Sequence, residues 1–261
     1  MTLFFHEIKR GKLPLIIWSG AISFLLLVCI VIYPEMEEQM KEMSDMFADM
    51  GAFSDAFSMD QLTFSSFTGY FSIECGEMLG IGGAIFAAIT AIGALSKEEG
   101  DKTAEFLLTH PVSRTRVAAS KLASVTAFIT VLNIAVVAVS MLAMAAIGVT
   151  VEWGPMLLIF FAYYILQLEI GCICFGLSAL LRRRSIGVGL GLAMALYFAN
   201  LVANITESTD FLKYVTPFAY TEGSHIIENC NLEWKYVAIG AVAAAVCVVL
   251  GFLKYEKKDI H

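Results

Sequence analysis

Six long apolar segments constrain the fold of this chain more than any other feature of its sequence. A helix needs about 20 predominantly apolar residues to cross the hydrocarbon core of a bilayer. The segments lie at residues 13–33, 73–95, 122–148, 155–181, 185–206 and 235–254. With 58% hydrophobic and only 16% charged residues, the composition is not that of a globular enzyme. We therefore predict an all-α, polytopic membrane protein whose six transmembrane helices form a single domain, 1–261.

Lysine and arginine are distributed unevenly around these spans. Fourteen of the 17 lie in the N-terminal segment 1–12, the loop 96–121, residues 182–184 and the tail after residue 253. Cytoplasmic loops of membrane proteins carry an excess of these residues. We therefore predict that both termini are cytoplasmic, that residues 1–12 form a short interfacial helix, and that loops 34–72 and 207–234 are external.

The external loop 34–72 is acidic and carries a methionine stripe. Eight Asp and Glu residues lie between positions 35 and 60. The stripe consists of Met36, Met40, Met43, Phe47 and Met50, whose spacing predicts one face of a helix. Adaptable thioether side chains suit a gate or a capture surface for an amphipathic substrate, but such a stripe also packs against its own protein or the lipid interface.

The loop 96–121 contains the most polar block of the chain, SKEEGDKTAEFLLTHPVSR at residues 96–114. Its apolar patch at Phe106–Leu108 and its break at Pro111 predict a short helix near 99–109 and a second helix that begins after Ser113 and continues into the third span. An exposed apolar patch between charged ends fits a groove in a partner protein. It equally fits an interfacial helix that rests on lipid headgroups.

A family resemblance favours the first interpretation. The block reads E-E-G-x-x-x-x-E-F-L-L-x-x-P-V-S-R and resembles the first cytoplasmic loop of ABC-2 type transporter permeases. The basic start FFHEIKRGKLPLIIWSG with its early Trp18, the segment LKYVTPFAY at 212–220 and the tail YEKKDIH also resemble parts of these permeases. The similarity therefore extends over nearly the whole chain.

The resemblance implies that the loop is a coupling helix that contacts an ATP-binding subunit. Phe106, Leu107 and Leu108 would fill a groove of the ATPase, and the charged residues would set the register. The complete set of expected coupling residues is Glu98, Glu99, Gly100, Glu105, Phe106, Leu107, Leu108, Pro111 and Arg114.

The resemblance also implies partners and a location. Two permease chains, identical or related, would form the translocation pathway with two copies of the ATP-binding subunit in a bacterial cytoplasmic membrane. The chain has no GxxxxGK[ST] phosphate loop, so we expect no bound cofactor and no enzymatic activity of its own, with ATP and magnesium held by the partner. Membrane lipids are expected partners and nucleic acid is not. The exported substrate would be a molecule such as an amphipathic peptide, a drug or a lipid.

Polar side chains within the spans are candidates for the pathway. A charge is costly in the bilayer, so Glu169, with Gln167 nearby, either serves the pathway or bonds a neighbouring helix such as that of Asn133. Asn200 and Asn204 lie one turn apart, where a hydrogen bond between helices is expected more than substrate contact.

Three other functions are weighed against an ATP-driven permease. An ion- or proton-coupled secondary carrier would use Glu74, Glu77 and Glu169 as its relay. A membrane-embedded hydrolase is disfavoured because all four histidines lie in loops or tails, away from any intramembrane carboxylate. A subunit that binds the ATPase without transporting anything stays open.

Small residues and cysteines complete the sequence pattern. Glycines of the second and fifth spans predict close helix packing, within one subunit or across a dimer seam. They are Gly76, Gly80, Gly83, Gly187 and Gly191. The six cysteines form no Cys-x-x-Cys pair, so no metal site is predicted. A disulfide between Cys75 and Cys230 is compatible with the topology, although free buried thiols are favoured.

Overall fold

The computed structural model describes residues 2–48, 66–97, 113–182, 185–205 and 207–258, and this part of the chain is helical without strands. Six of its helices are long and apolar enough to cross a membrane, which confirms the predicted all-α bundle. The helices are α1 (Thr2–Ala48), α2 (Phe67–Ile92), α3 (Arg114–Ile147), α4 (Trp153–Ser178), α5 (Ile186–Ile205), α6 (Gly223–Asn229) and α7 (Trp234–Lys257). Two 3₁₀ segments, Glu207–Tyr214 and Pro217–Thr221, connect α5 to α6.

The first helix differs from its prediction. Residues 2–12 do not form a separate interfacial helix, because α1 runs without interruption through Pro14 and Pro34 to Ala48. Its 47 residues give a length of about 70 Å, more than twice the thickness of a hydrocarbon core. The backbone around Met36 to Phe47 is thus helical, as the methionine spacing predicts. Met50 and the side-chain packing of the stripe lie outside the described residues.

The second helix begins earlier than predicted and contains an irregular turn. The Ser66 side chain caps its start by accepting a hydrogen bond from the Gly69 amide at 3.1 Å. Aromatic side chains that follow the cap are buried against α1 and α4: Phe67 lies 5.0 Å from Tyr33, and Phe71 lies 5.5 Å from Phe160, between ring centroids. Residues Gly76–Ile81 in the middle of the helix form a π-helical turn.

Helix α4 occupies the centre of the bundle. It packs against α2, α3 and α7, while α1 lies along α3, and α5 lies along α2. The ends of α2, α4 and α7 lie beside the starts of α1 and α3, as contacts of Lys121, Lys258 and Arg114 show. We call this the basic end of the bundle and the opposite one the acidic end.

Two glycines allow α4 and α7 to approach each other closely. The Cα of Gly176 on α4 lies 2.9 Å from the position that a Cβ at Gly251 on α7 would take. A Cβ at Gly176 would overlap the carbonyl oxygen of Cys247. Only glycine therefore fits at these two positions.

We expect Gly176→Ala to destabilise the bundle. The new methyl group meets backbone rather than a mobile side chain, so α4 and α7 must separate, at a cost of about 1–3 kcal/mol. Unfolding of the detergent-solubilised chain in increasing dodecyl sulfate measures the change. Gly20→Ala is the matched control, since an alanine Cβ there meets no atom within 4 Å. Equal stability of the two variants would contradict the assigned contact.

Candidate functional site

The predicted coupling loop is described only at its ends. The residues from Glu98 to Pro111 that were expected to contact an ATPase lie outside the described part of the chain. The helix predicted after Ser113 is confirmed: the Ser113 hydroxyl accepts a hydrogen bond from the Arg116 amide at 3.3 Å, and α3 runs from there into the third span. Of the expected coupling residues, the structure describes Arg114.

Arg114 binds the carboxyl end of the last transmembrane helix. Its Nη1 donates to the backbone carbonyls of Tyr255 at 3.4 Å, Glu256 at 3.1 Å and Lys258 at 2.5 Å. The neighbouring Thr115 hydroxyl donates to the Glu256 carboxylate at 2.5 Å. The last carbonyls of a helix have no partner within the helix and carry partial negative charge. The guanidinium therefore caps α7 and joins it to the residues that follow the coupling loop.

The same arrangement recurs at the other two helices that end here. The Lys121 ammonium donates to the carbonyl of Ala94, just beyond α2, at 2.6 Å. The Lys258 ammonium donates to the carbonyl of Leu181, just beyond α4, at 2.7 Å. A basic side chain from another element thus binds the carboxyl end of each of α2, α4 and α7. These hydrogen bonds connect neighbouring helices at the basic end of the bundle.

Gln167 lies in a buried polar network in the middle of the bundle. Its side-chain oxygen accepts from Asn133 of α3 at 2.7 Å, and its Nε2 donates to the Leu79 carbonyl at 3.1 Å. Leu79 belongs to the π-helical turn of α2, and its carbonyl accepts from the Gly82 amide as well as from Gln167. A Cβ at Gly83 would overlap the Gln167 amide. The network therefore connects α2, α3 and α4.

Glu169 has a different partner from the one proposed on the sequence. Asn133 bonds Gln167, whereas the Glu169 carboxylate accepts from the Tyr220 hydroxyl at 2.9 Å. Glu169 is 3% exposed, and a Cβ at Gly240 of α7 would overlap its Oε2. Burial, followed by the charge of Glu169, raises the pKa of Tyr220 well above its usual value, so that the phenol remains a donor. Nothing in the local sequence pattern indicates that Tyr220 or Gly240 contacts Glu169.

A small polar cavity lies towards the acidic end, between α2, α4, α5 and the segment before α6. Its volume is about 80 Å³, and no basic side chain lines it within the described residues. Glu77 accepts from the Tyr197 hydroxyl at 3.2 Å, and the Tyr163 hydroxyl donates to the Thr221 carbonyl at 3.3 Å. The tyrosine donors are thus used by protein acceptors, which leaves a cavity of acidic character.

Asn200 and Asn204 also line this cavity. Neither forms a hydrogen bond between helices in the part of the chain that is described, and the buried Asn200 oxygen has no donor there. Sequence reasoning favoured helix–helix bonding for both residues. Their position instead makes them candidates for contact with a ligand, together with Glu77.

The predicted glycines divide into two groups. A Cβ at Gly76 would lie 2.9 Å from the Tyr163 hydroxyl, and one at Gly80 would lie 2.8 Å from the same ring, so both glycines, like Gly83, face α4 within one subunit. A Cβ at Gly187 or Gly191 would meet no atom of the described residues within 4 Å, so this face of α5 is open within the described part of the chain. The packed glycine of α5 is Gly189, which lies against α2.

The cysteines are free thiols, including Cys75 and Cys230. Cys75 is fully buried in α2, whereas Cys230 is exposed and lies beside Gly154. No group of three or more potential metal ligands occurs among the described residues.

Comparison with known proteins identifies one family. The model of a family described as "ABC-2 family transporter protein" matches residues 8–260. No curated protein matches the chain significantly. The matched region contains the six transmembrane helices except the first six residues of α1, together with the polar cavity and the caps of the basic end.

We expect Arg114→Ala to loosen the last turn of α7. Loss of a charged donor to three carbonyls should accelerate amide hydrogen exchange at residues 254–257 by about tenfold. Hydrogen exchange followed by mass spectrometry measures this. Arg116→Ala removes an equal charge from an exposed position of the same helix and serves as the control. Equal exchange in wild type and Arg114→Ala would contradict the capping role.

We also expect Tyr220→Phe to cost more stability than Glu169→Gln. The first change leaves a buried carboxylate without its donor, at a cost of roughly 1–3 kcal/mol, whereas glutamine keeps an acceptor for the phenol. Denaturation of the solubilised chain compares the two variants. Tyr214→Phe, at an exposed tyrosine of the same connection, is the control and should have little effect. Similar losses for Tyr220→Phe and Tyr214→Phe would contradict the importance of this bond.

Proposed function

Because the chain belongs to the ABC-2 family of transporter proteins, we propose that this permease exports its substrate as a dimer driven by a separate ATP-binding subunit. The observation that carries the proposal is the family match over residues 8–260. The six membrane-spanning helices supply the matching architecture. In this assembly two permease chains, identical or related, associate with two copies of the ATPase.

The energy source belongs to the partner. The 261 residues contain no GxxxxGK[ST] loop, so ATP and magnesium are bound by the ATPase and the permease performs no hydrolysis itself. The family match favours this arrangement over the secondary carrier considered above. Glu169 also fits a carrier relay poorly, since it is enclosed by Tyr220 and α7 rather than placed in the polar cavity.

Coupling would begin in the loop 98–112. Phe106, Leu107 and Leu108 fill a groove of the ATPase, and Glu98, Glu99 and Glu105 set the register. The caps at the basic end support a route from this loop into the bundle. Arg114 joins the end of the loop to α7, and Lys258 joins the tail after α7 to the end of α4. A displacement of the loop is thereby passed to two helices that contact each other.

A second permease chain would cover two features of the isolated subunit. Glu77 is exposed although it lies about 15 Å along the transmembrane helix α2, and an intramembrane carboxylate is costly unless it faces protein or water. The glycine face of α5 is also open. Both features are explained if the pathway lies between two subunits and includes the polar cavity.

The character of this cavity bears on the substrate. An acidic lining with two asparagines suits a cationic or amphipathic molecule, such as a peptide, a drug or a lipid with an amino group. The acidic external loop has the same sign of charge. The excess of Lys and Arg supports a cytoplasmic location for the basic end, with the cavity towards the outer side of the membrane. The family resemblance makes a bacterial cytoplasmic membrane part of this proposal.

We expect the tagged chain to co-purify with a soluble ATPase from gently solubilised native membranes. Leu107→Asp should abolish this association, because removal of a buried interface anchor typically costs about 2 kcal/mol or more. Mass spectrometry identifies the partner by its GxxxxGK[ST] loop, and phosphate release measures its activity.

Thr103→Asp introduces the same charge at a polar position of the same loop and is the control for Leu107→Asp. Retention of the ATPase by both variants would refute Leu107 as the anchor but would not contradict the proposed complex. Purification of the wild-type chain alone, without ATPase activity in several mild detergents, would refute the proposed transporter.

A further inference from the structure

A second cavity lies at the basic end, between α1, α2 and α3. Its volume is about 150 Å³, and its lining changes in character with depth. The charged side chains Glu7, Arg10, Lys97 and Lys121 surround one part, and Trp18 and Phe86 surround the other. The proposed transport function uses neither part of this cavity.

The charged part is positive. Three basic side chains face one acidic side chain, Glu7, whose carboxylate lies 3.6 Å from the Lys121 ammonium. Lys121 is 4% exposed and also donates to the Ala94 carbonyl, so its charge is fixed at the wall of the cavity. Arg10, Lys97 and Lys121 have further interactions within the chain, which an anionic ligand would join.

The apolar part lies deeper in the membrane. Trp18 and Phe86 are in contact, with ring centroids 6.0 Å apart. Trp18 is eight residues after Arg10 on α1, which corresponds to about 12 Å along the helix axis. This distance exceeds the thickness of one headgroup layer, about 5–8 Å, so the cavity extends from the interface into the hydrocarbon.

We propose that this cavity binds an acidic phospholipid from the leaflet at the basic end. The phosphate lies among Arg10, Lys97 and Lys121, and the first part of an acyl chain lies against Trp18 and Phe86. A soluble phosphate would leave the aromatic part unfilled. A zwitterionic lipid would bring a cation next to three basic side chains. Basic pockets between transmembrane helices bind anionic headgroups because the charges are opposite.

The position of the site gives the lipid a structural role. Lys97 is the last described residue before the coupling loop, and Lys121 caps α2 from α3. The bound headgroup therefore steadies the base of this loop on both of its sides. This inference concerns the chain alone and does not depend on the proposed transport function.

The test uses Trp18 as its reporter. The chain has three tryptophans, and Trp153 and Trp234 are half-exposed at the acidic end, so Trp153→Phe/Trp234→Phe leaves a single fluorophore in the cavity. This full-length variant is reconstituted in phosphatidylcholine vesicles that contain either brominated phosphatidylglycerol or, at the same mole fraction, brominated phosphatidylcholine. Bromine quenches tryptophan only at close range. We expect the acidic lipid to bind about tenfold more tightly.

The matched variants locate the binding. Arg10→Gln/Lys97→Gln should remove most of the preference for the acidic lipid, whereas Lys254→Gln/Lys257→Gln, which removes two charges at the same end outside the cavity, should retain it. An equal loss in both variants would show general surface attraction and overturn the proposal. The comparison of the two brominated lipids needs no cavity variant, so equal quenching would overturn the proposal even if Arg10→Gln/Lys97→Gln does not fold. In that case loss of the preference in Lys254→Gln/Lys257→Gln would likewise overturn it.

Two further outcomes would also overturn the proposal. Equal quenching by the two brominated lipids would show that the cavity does not select charge. Loss of the preference on addition of inorganic phosphate, but not of potassium chloride at equal ionic strength, would show a site for a free anion rather than a lipid. Persistence of the preference in phosphate supports the phospholipid.

Discussion

The need to satisfy backbone polar groups away from water governs this structure. In a bilayer an unpaired amide or carbonyl has no solvent to bind, so the chain crosses as helices whose bonds are internal. Where the backbone hydrogen bonds within a helix end, side chains bind the remaining carbonyls. Lys121, Lys258 and Arg114 bind carbonyls at the ends of three helices. In the π-helical turn, Gln167 adds a second donor to the Leu79 carbonyl, which also accepts from the Gly82 amide. The polar residues that are costly to bury are therefore found where the backbone requires them.

The sequence predicts the number and approximate position of the transmembrane helices because hydrocarbon thickness sets their length. It predicts their ends less well. Apolar windows detect only the part inside the bilayer, so they do not show that α2 begins as early as Phe67. Nor do they show that the helix predicted by the methionine spacing is continuous with α1 as far as Ala48. The early start of α2 depends on the Ser66 cap and on aromatic packing between helices.

Side-chain partners were predicted less well still. Glu169 and Gln167 were recognised as unusual because each is polar within an apolar segment, and both are indeed buried. The partner of Glu169 is Tyr220, 51 residues away in a connection whose 3₁₀ path into the bundle has no periodic signal. Similarly, Arg114 was grouped with the coupling loop by its position in the sequence. Its contact with the end of α7 depends on how the start of α3 meets a segment 144 residues further along the chain, which local pattern does not encode.

The π-helical turn of α2 also sets how far one half of that helix is rotated about the helix axis relative to the other half. One residue more than a regular turn rotates everything beyond it by about 100° relative to an unbroken α-helix. Before the turn lie Ser72 and Ile73, which line the polar cavity, and beyond it lies Gly83, beneath Gln167. A single-residue deletion here would leave a regular helix of nearly the same composition. Such a helix could align one of its two surfaces correctly but not both. Homologous chains with a gap at this point should therefore have a different pathway lining or a different bundle core.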